Sequence, residues 1–283
     1  MHYAHACSCG RYENTCKRLP QHTVIAIILY LDGTQATRKI SGQSTKPVVL
    51  TLGNFTIPVM NKGCAKRILT YMPSPKATAK VVKRASADWL LSKRLVYHDA
   101  WRQMLAPLVA AQRNGGVYLY LPYTGASGAV QWHQKLCMPT IAYVVNDTPE
   151  RKLLTLVGDS AKQPRPCSAC TIAKDDLAKG DVSCDYVTND RHRRMGMDSK
   201  RFVLRTAAQV AAAPTRGASS TKKQIIDESW KARGMHLIPN AFWDVAFFDD
   251  YGIYGHAGPD RMHCWYVGGN RCVLRPQPAA YTR

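Results

Sequence analysis

The sequence predicts a mixed α/β domain, a sheet flanked by helices, and three observations carry that reading. Val24–Leu31 is an unbroken apolar, β-branched run that stops at Asp32-Gly33-Thr34. Residues 85–112 carry Trp89, Leu90, Leu95, Trp101, Met104, Leu105 and Leu108 at helical spacings. Thr140–Val145 returns to strand character and runs straight into a helix-start signal. Strands and helices in this order, without a regular βαβ alternation, point to a mixed sheet rather than a barrel.

Taken in order, residues 1–21 show no periodicity and read as a tail. From Thr23 the run VIAIILYL is a buried strand ended by an Asp-Gly turn. Val48–Leu52 follows within hairpin range and is expected beside it in one sheet. Residues 85–112 form one long amphipathic helix or two short ones, stopped by Asn114-Gly115-Gly116. Val117–Leu121 and Thr140–Val145 are the next strands. At Asn146–Glu150 a helix begins: Pro149 suits the first turn, and Glu150 can close a capping box. After Gly158 the texture shifts to a Pro- and Cys-bearing segment and then to a polar, basic stretch, which marks an insertion. Helices are expected at Val203–Ala213 and Lys223–Arg233, joined by a small-residue linker at Pro214–Lys223. The resulting division is a tail (1–21), a core (22–160), a mainly helical insertion (161–270) and a C-terminal tail (271–283). No internal repeat is present.

The chain has 283 residues, with 39 Lys plus Arg against 19 Asp plus Glu, a formal net charge of +20. A basic surface gains affinity for phosphates by releasing condensed counterions, so a polyanion is the expected partner. The longest apolar run, Val24–Leu31, is far short of the roughly 20 residues that a membrane-spanning helix needs. Met1–Arg18 lacks the apolar core of a secretory signal, which predicts an intracellular protein whose ten cysteines are thiols or metal ligands.

Asp32 and Asp147 each follow directly on a strongly apolar strand. Each has an ordinary structural reading, as an Asp-Gly turn and as a helix cap respectively. Each also suits a metal site, because hard divalent ions take carboxylate oxygens and a strand edge is a rigid mount. Cys167 and Cys170 have the CxxC spacing that lets two thiolates reach one tetrahedral zinc ion, and two unliganded thiols are the alternative. Arg191, His192, Arg193 and Arg194, with Lys222 and Lys223, are candidate phosphate contacts or simply a solvated face. Phe242, Trp243, Phe247, Phe248 and Tyr251 are dense enough in apolar surface to be read as core.

Several stretches carry a resemblance. They are IAIILYLDGTQ, KPVVLTLGN and ILTYMP; YHDAW with Leu105, Pro107 and Leu108; PTIAYVVNDTPERKLLT; the CxxC; and RGMHLIPNAFW and GPDRMHCWYVGG. Their order and spacing resemble the Plavaka branch of the Kyakuja-Dileera-Zisupton transposases over most of residues 23–269. The resemblance implies a ribonuclease-H-like sheet with a CxxC-bearing insertion, in which the first and fourth strands are neighbours. It implies that Asp32 and Asp147 are the first two acids of a DDE transposase, holding Mg²⁺ (or Mn²⁺) for cleavage and transfer of DNA strands in the nucleus. It also points to His263 as a third zinc ligand beside Cys167 and Cys170, with His256 or Cys184 as the fourth, and to multimers as the acting form. The family's third acid is expected on a later helix. No Glu follows Glu228, and Asp260 is the nearest substitute. The sequence departs from the family at Gly33, Thr148 and Cys264-Trp265-Tyr266. The rival expectation is therefore a zinc-stapled DNA-binding protein, a remnant or a domesticated piece, without catalysis.

Overall fold

The computed structural model describes residues 10–31, 34–35, 44–75, 87–125, 127–158, 164–177, 194, 196–213, 218–246 and 251–259. Among them the architecture is a mixed α/β fold built on one mixed sheet. At its centre is β1 (Thr23–Leu31), the apolar run predicted from sequence, with Val24, Ala26, Leu29 and Leu31 almost fully buried. A strand flanked on both edges and covered on both faces must be apolar along its length, which is why this run lacks a clean alternation.

On one side β1 pairs antiparallel with β3 (Ser44–Leu52), from Ile27↔Leu52 to Leu31↔Val48. The Asn54 amide completes this hairpin: its Oδ1 accepts the Ala26 N–H at 2.8 Å and its Nδ2 donates to Val24 O at 3.0 Å. The two-residue strand β2 (Thr34–Gln35) pairs with the start of β3, and β4 (Arg67–Met72) pairs along it antiparallel. On its other side β1 pairs parallel with β6 (Val130–Asn146), from Thr23↔Cys137 to Leu31↔Asn146. A last strand, β7 (Ala257–Pro259), runs parallel to the end of β6 and pairs Val144 with Ala257. The order across the sheet is thus β4, β3, β1, β6, β7, with β5 (Val117–Thr124) antiparallel on the first half of β6.

Helices α1 (Gly10–Arg18) and α2 (Ile57–Met60) precede the long helix α3 (Ala87–Arg113), which is single despite Pro107 at an interior position. The proline forfeits one backbone hydrogen bond. That loss is offset by burial of Tyr97, Trp101 and Leu105 against the sheet, each contributing roughly 1.5–3 kcal/mol of apolar transfer. Trp101 packs against Phe242 of the short 3₁₀ turn Ala241–Asp244, with ring centres 5.0 Å apart and planes tilted by 52°. The Gln112 side chain ties the end of α3 to the sheet, donating to Pro139 O and accepting from Ala246 N. Helix α4 (Thr148–Thr155) follows β6, and two longer helices, Gly196–Ala212 and Ala218–Arg233, pack on each other in the region read as an insertion.

Four features differ from the sequence reading. The helix expected at Lys223–Arg233 begins at Ala218, inside the stretch expected as a linker. Gly10–Arg18, read as tail, is a helix with a Glu13–Lys17 ion pair. β4 was not foreseen, and β6 begins at Val130 rather than Thr140. In both strands the first residues are exposed and paired to a neighbouring strand, Arg67–Leu69 and Val130–Lys135, while Met72, Cys137 and Met138 further along are buried. Of the aromatic cluster, Phe242 is buried and Trp243 half-buried, as core was expected to be, while Phe247 and Phe248 lie outside the described residues.

Candidate active site

The parallel pairing of β1 with β6 ends at Leu31↔Asn146, so both strands finish level at the same edge of the sheet. Asp147 is the next residue after Asn146. Its backbone is extended (φ −69°, ψ 172°) and its Oδ1 accepts the Glu150 N–H at 2.8 Å, so it caps α4, with Pro149 in the first turn. The capping interaction fixes the carboxylate at the strand tip, and a carboxylate has a second oxygen beyond the one used here. Capping and metal binding are therefore compatible at this position. Asp32, one residue past Leu31, lies outside the described residues.

Three more groups converge on this edge, and the sequence reading had none of them in a site role. Glu150 is buried and forms an ion pair through Oε1 with Lys46 of β3. Tyr97 of α3 is fully buried. Burial pushes its phenol well above the usual range, and the neighbouring Glu150 carboxylate pushes it further. Asn146 is 1% exposed, and neither polar atom of its amide has a hydrogen-bond partner among the described residues; nor does Glu150 Oε2. Buried oxygens left unmatched carry a desolvation cost of about 1–3 kcal/mol each unless water or a cation meets them. Of these atoms, Glu150 Oε2 belongs to the same helix turn that Asp147 caps, and a carboxylate oxygen is the kind of ligand that a hard divalent cation takes. Among the described residues no three His, Cys, Asp or Glu side chains gather closely enough to bind a metal by themselves.

The CxxC forms a tight loop in which the Ala169 N–H points at Cys167 Sγ at 3.4 Å; Cys167 is half-buried and Cys170 buried. The centre of this loop is Arg194. Arg194, grouped by sequence with the candidate phosphate contacts, is instead internal, only 1% exposed. Its Nε donates to Cys167 O at 3.0 Å, one terminal nitrogen to Arg233 O at 2.7 Å and the other to Arg165 O at 3.2 Å. Its backbone N–H donates to Ala169 O at 2.9 Å. A planar fork of five donors can hold several carbonyls at once, which a lysine cannot do, and none of these bonds leaves the guanidinium facing solvent. Both cysteines lie close enough to interact electrostatically with this buried cation.

His256 is buried, with Nδ1 hydrogen-bonded to Gly252 O at 2.8 Å. Cys184, Arg191, Arg193, Asp260 and His263 lie outside the described residues. Lys222 is half-buried and Lys223 exposed, on the helix Ala218–Arg233. Glu150 was legible only as a helix-start residue, and Lys46 carried no local signal, because its partner lies 104 positions away.

A family model described as Plavaka transposase matches residues 3–270. No curated protein and no solved structure matches the chain.

Proposed function

Because this chain belongs to the Plavaka transposase family, we propose that it is the core of a DDE-type transposase acting on transposon DNA, with Asp32 and Asp147 as its metal-holding pair. The observation that carries the reading is the parallel register Leu31↔Asn146. It sets Asp147 at the tip of β6, and Asp32 follows by a single peptide bond the residue paired with Asn146. With the two-residue β2 and the hairpin arm β5 set aside, β1 and β6 are the first and fourth core strands and are neighbours, which supports a ribonuclease-H-like sheet.

Bound there, Mg²⁺ (or Mn²⁺) would supply the charge that activates an attacking oxygen and steadies a leaving one. In cleavage a water oxygen forms a new P–O bond while the bridging P–O bond to a DNA 3′ oxygen breaks, and that oxygen leaves carrying a proton. In strand transfer the freed 3′-hydroxyl oxygen forms a P–O bond to a target phosphate while that phosphate's bond to its own 3′ oxygen breaks, and the proton lost by the attacker is balanced by one taken up by the leaving oxygen. The chain's own part is to fix the Asp147 carboxylate through its cap and to bring DNA to the site through its positive charge. Cys167 and Cys170, organised by Arg194, fit half of a tetrahedral zinc site, and His263 is proposed as a further ligand.

The test uses Asp147→Asn. Asparagine caps a helix as well as aspartate does, so α4 is retained while the negative charge is lost. Metal-dependent nicking of end-bearing DNA is expected to fall by at least about 100-fold, the scale on which loss of transition-state charge stabilisation is felt. Asp32→Asn is expected to do the same, and nicking that persists in both variants would falsify the assignment. One observation favours a second reading, a DNA-binding protein without catalysis: Glu150, the buried carboxylate among the described residues in the helix that Asp147 caps, is already neutralised by Lys46. Salt-sensitive DNA binding by a wild-type chain that nicks nothing with either Mg²⁺ or Mn²⁺ would favour that reading.

A further inference from the structure

Strand β5 and the first half of β6 form a two-stranded ribbon, paired from Val117↔Cys137 to Thr124↔Val130. β1 joins β6 only from Cys137 onward. Residues 130–136 therefore run past the main sheet with β5 beside them, a projection of roughly 20 Å at about 3.3 Å per residue. The pairs Tyr118↔Leu136, Tyr120↔Gln134 and Pro122↔Trp132 are spaced two residues apart, so all six side chains share one face.

That face is aromatic and open: Tyr118 is 67% exposed, Tyr120 65% and Trp132 65%. Large rings are ordinarily buried, and a contiguous exposed apolar face marks an interaction site. The ribbon that carries it holds no acid, since no Asp or Glu occurs between Asp99 and Asp147, and its one charged side chain, Lys135 on the opposite face, is positive and exposed. A partner that is both polyanionic and rich in flat rings matches this combination. Rings two residues apart on a strand stand roughly 6–7 Å from each other, which leaves room for one base against each ring.

We propose that the Tyr118, Tyr120 and Trp132 face is a stacking surface for unpaired bases of single-stranded DNA. Bases within a duplex already stack on one another and have no free face to offer, whereas every unpaired base has one. The inference rests on the DNA-acting role proposed above and adds the form of DNA taken, a single-stranded segment such as an opened or cleaved end exposes.

Fluorescence anisotropy of the full chain with labelled oligo-deoxythymidylate, and with a duplex of equal length, tests it. Tyr120→Ala and Trp132→Ala are each expected to weaken single-strand binding at least about fivefold, and the double variant more, with duplex binding unchanged. Trp132→Phe, which keeps a ring, should retain most of the affinity. Single-strand affinity equal to wild type in the double variant would overturn the proposal. So would a change in oligomeric state in place of a change in DNA affinity, which would assign the face to a second copy of the chain. A wild-type chain that binds duplex but not single strands sinks this inference alone, and one that binds neither sinks the DNA-acting role with it.

Discussion

His98 shows how much one side chain of this fold can hold. Its Nδ1 accepts the Ala241 N–H at 3.2 Å and its Nε2 bonds Leu153 O at 3.1 Å, so one ring joins α3, the end of α4 and the Ala241–Asp244 turn. Next to it, Asn240 caps that turn through Phe242 N and donates to Leu154 O. This bonding pattern requires neutral imidazole, and burial lowers the His98 pKa to about 4. In the unfolded chain the same group titrates near 6.5. Stability from the neutral ring is thus complete above pH 6.5 and declines as pH falls toward 4, because the unfolded chain takes up a proton that the fold refuses. The total is about 3 kcal/mol. Thermal midpoints between pH 7.5 and pH 4 should fall more steeply for wild type than for His98→Leu, whose baseline is lower because two buried backbone groups lose their partner. Parallel curves would show that His98 titrates normally.

Among the elements, the junction of α3 with β5 sets where the aromatic ribbon leaves the body. The chain reverses at Gly115 (φ +76°) and Gly116 (φ +110°), both outside the range that L-residues favour. A Cβ on Gly115 would meet nothing within 4 Å, whereas one on Gly116 would lie 2.7 Å from Cys137 O. Gly115→Ala is expected to cost about 1 kcal/mol from backbone strain alone. Gly116→Ala adds a clash with backbone and should cost at least about 2 kcal/mol. Denaturant midpoints measured side by side check the ranking, and equal losses would mean that the turn relaxes freely. Asn114-Gly115-Gly116 was legible as a helix stop because its signal is local. The first half of β6 was not: QWHQK lacks the apolar alternation of a half-buried strand, and it is a strand through its pairing with β5.

Over the whole molecule, the +20 charge makes DNA affinity a measurement of phosphate contacts. A plot of log affinity against log salt should slope at about −4.5 or steeper, as five or more neutralised phosphates would give. If Lys222 and Lys223 touch phosphates from the helix Ala218–Arg233, their double alanine variant should reduce that slope by about 2. An unchanged slope would assign both lysines to a solvated face. Arg194 belongs to a different class from these lysines, since its guanidinium is spent on three carbonyls of the fold.

By itself the sequence determined the central strand β1, the stop of α3, the Asp147-capped start of α4, the positive charge and the family motifs. Each of these is written in neighbouring residues, through side-chain period, turn chemistry or composition. Only the tertiary structure decided that β1 and β6 end level at Leu31 and Asn146, that Glu150 is met by Lys46, that Arg194 is an internal clamp on the cysteine loop, and that Tyr118, Tyr120 and Trp132 stand on one open face. Strand register, the burial of a charge and the exposure of a ring depend on groups tens to a hundred positions apart, and no local pattern along the chain encodes which of them will meet.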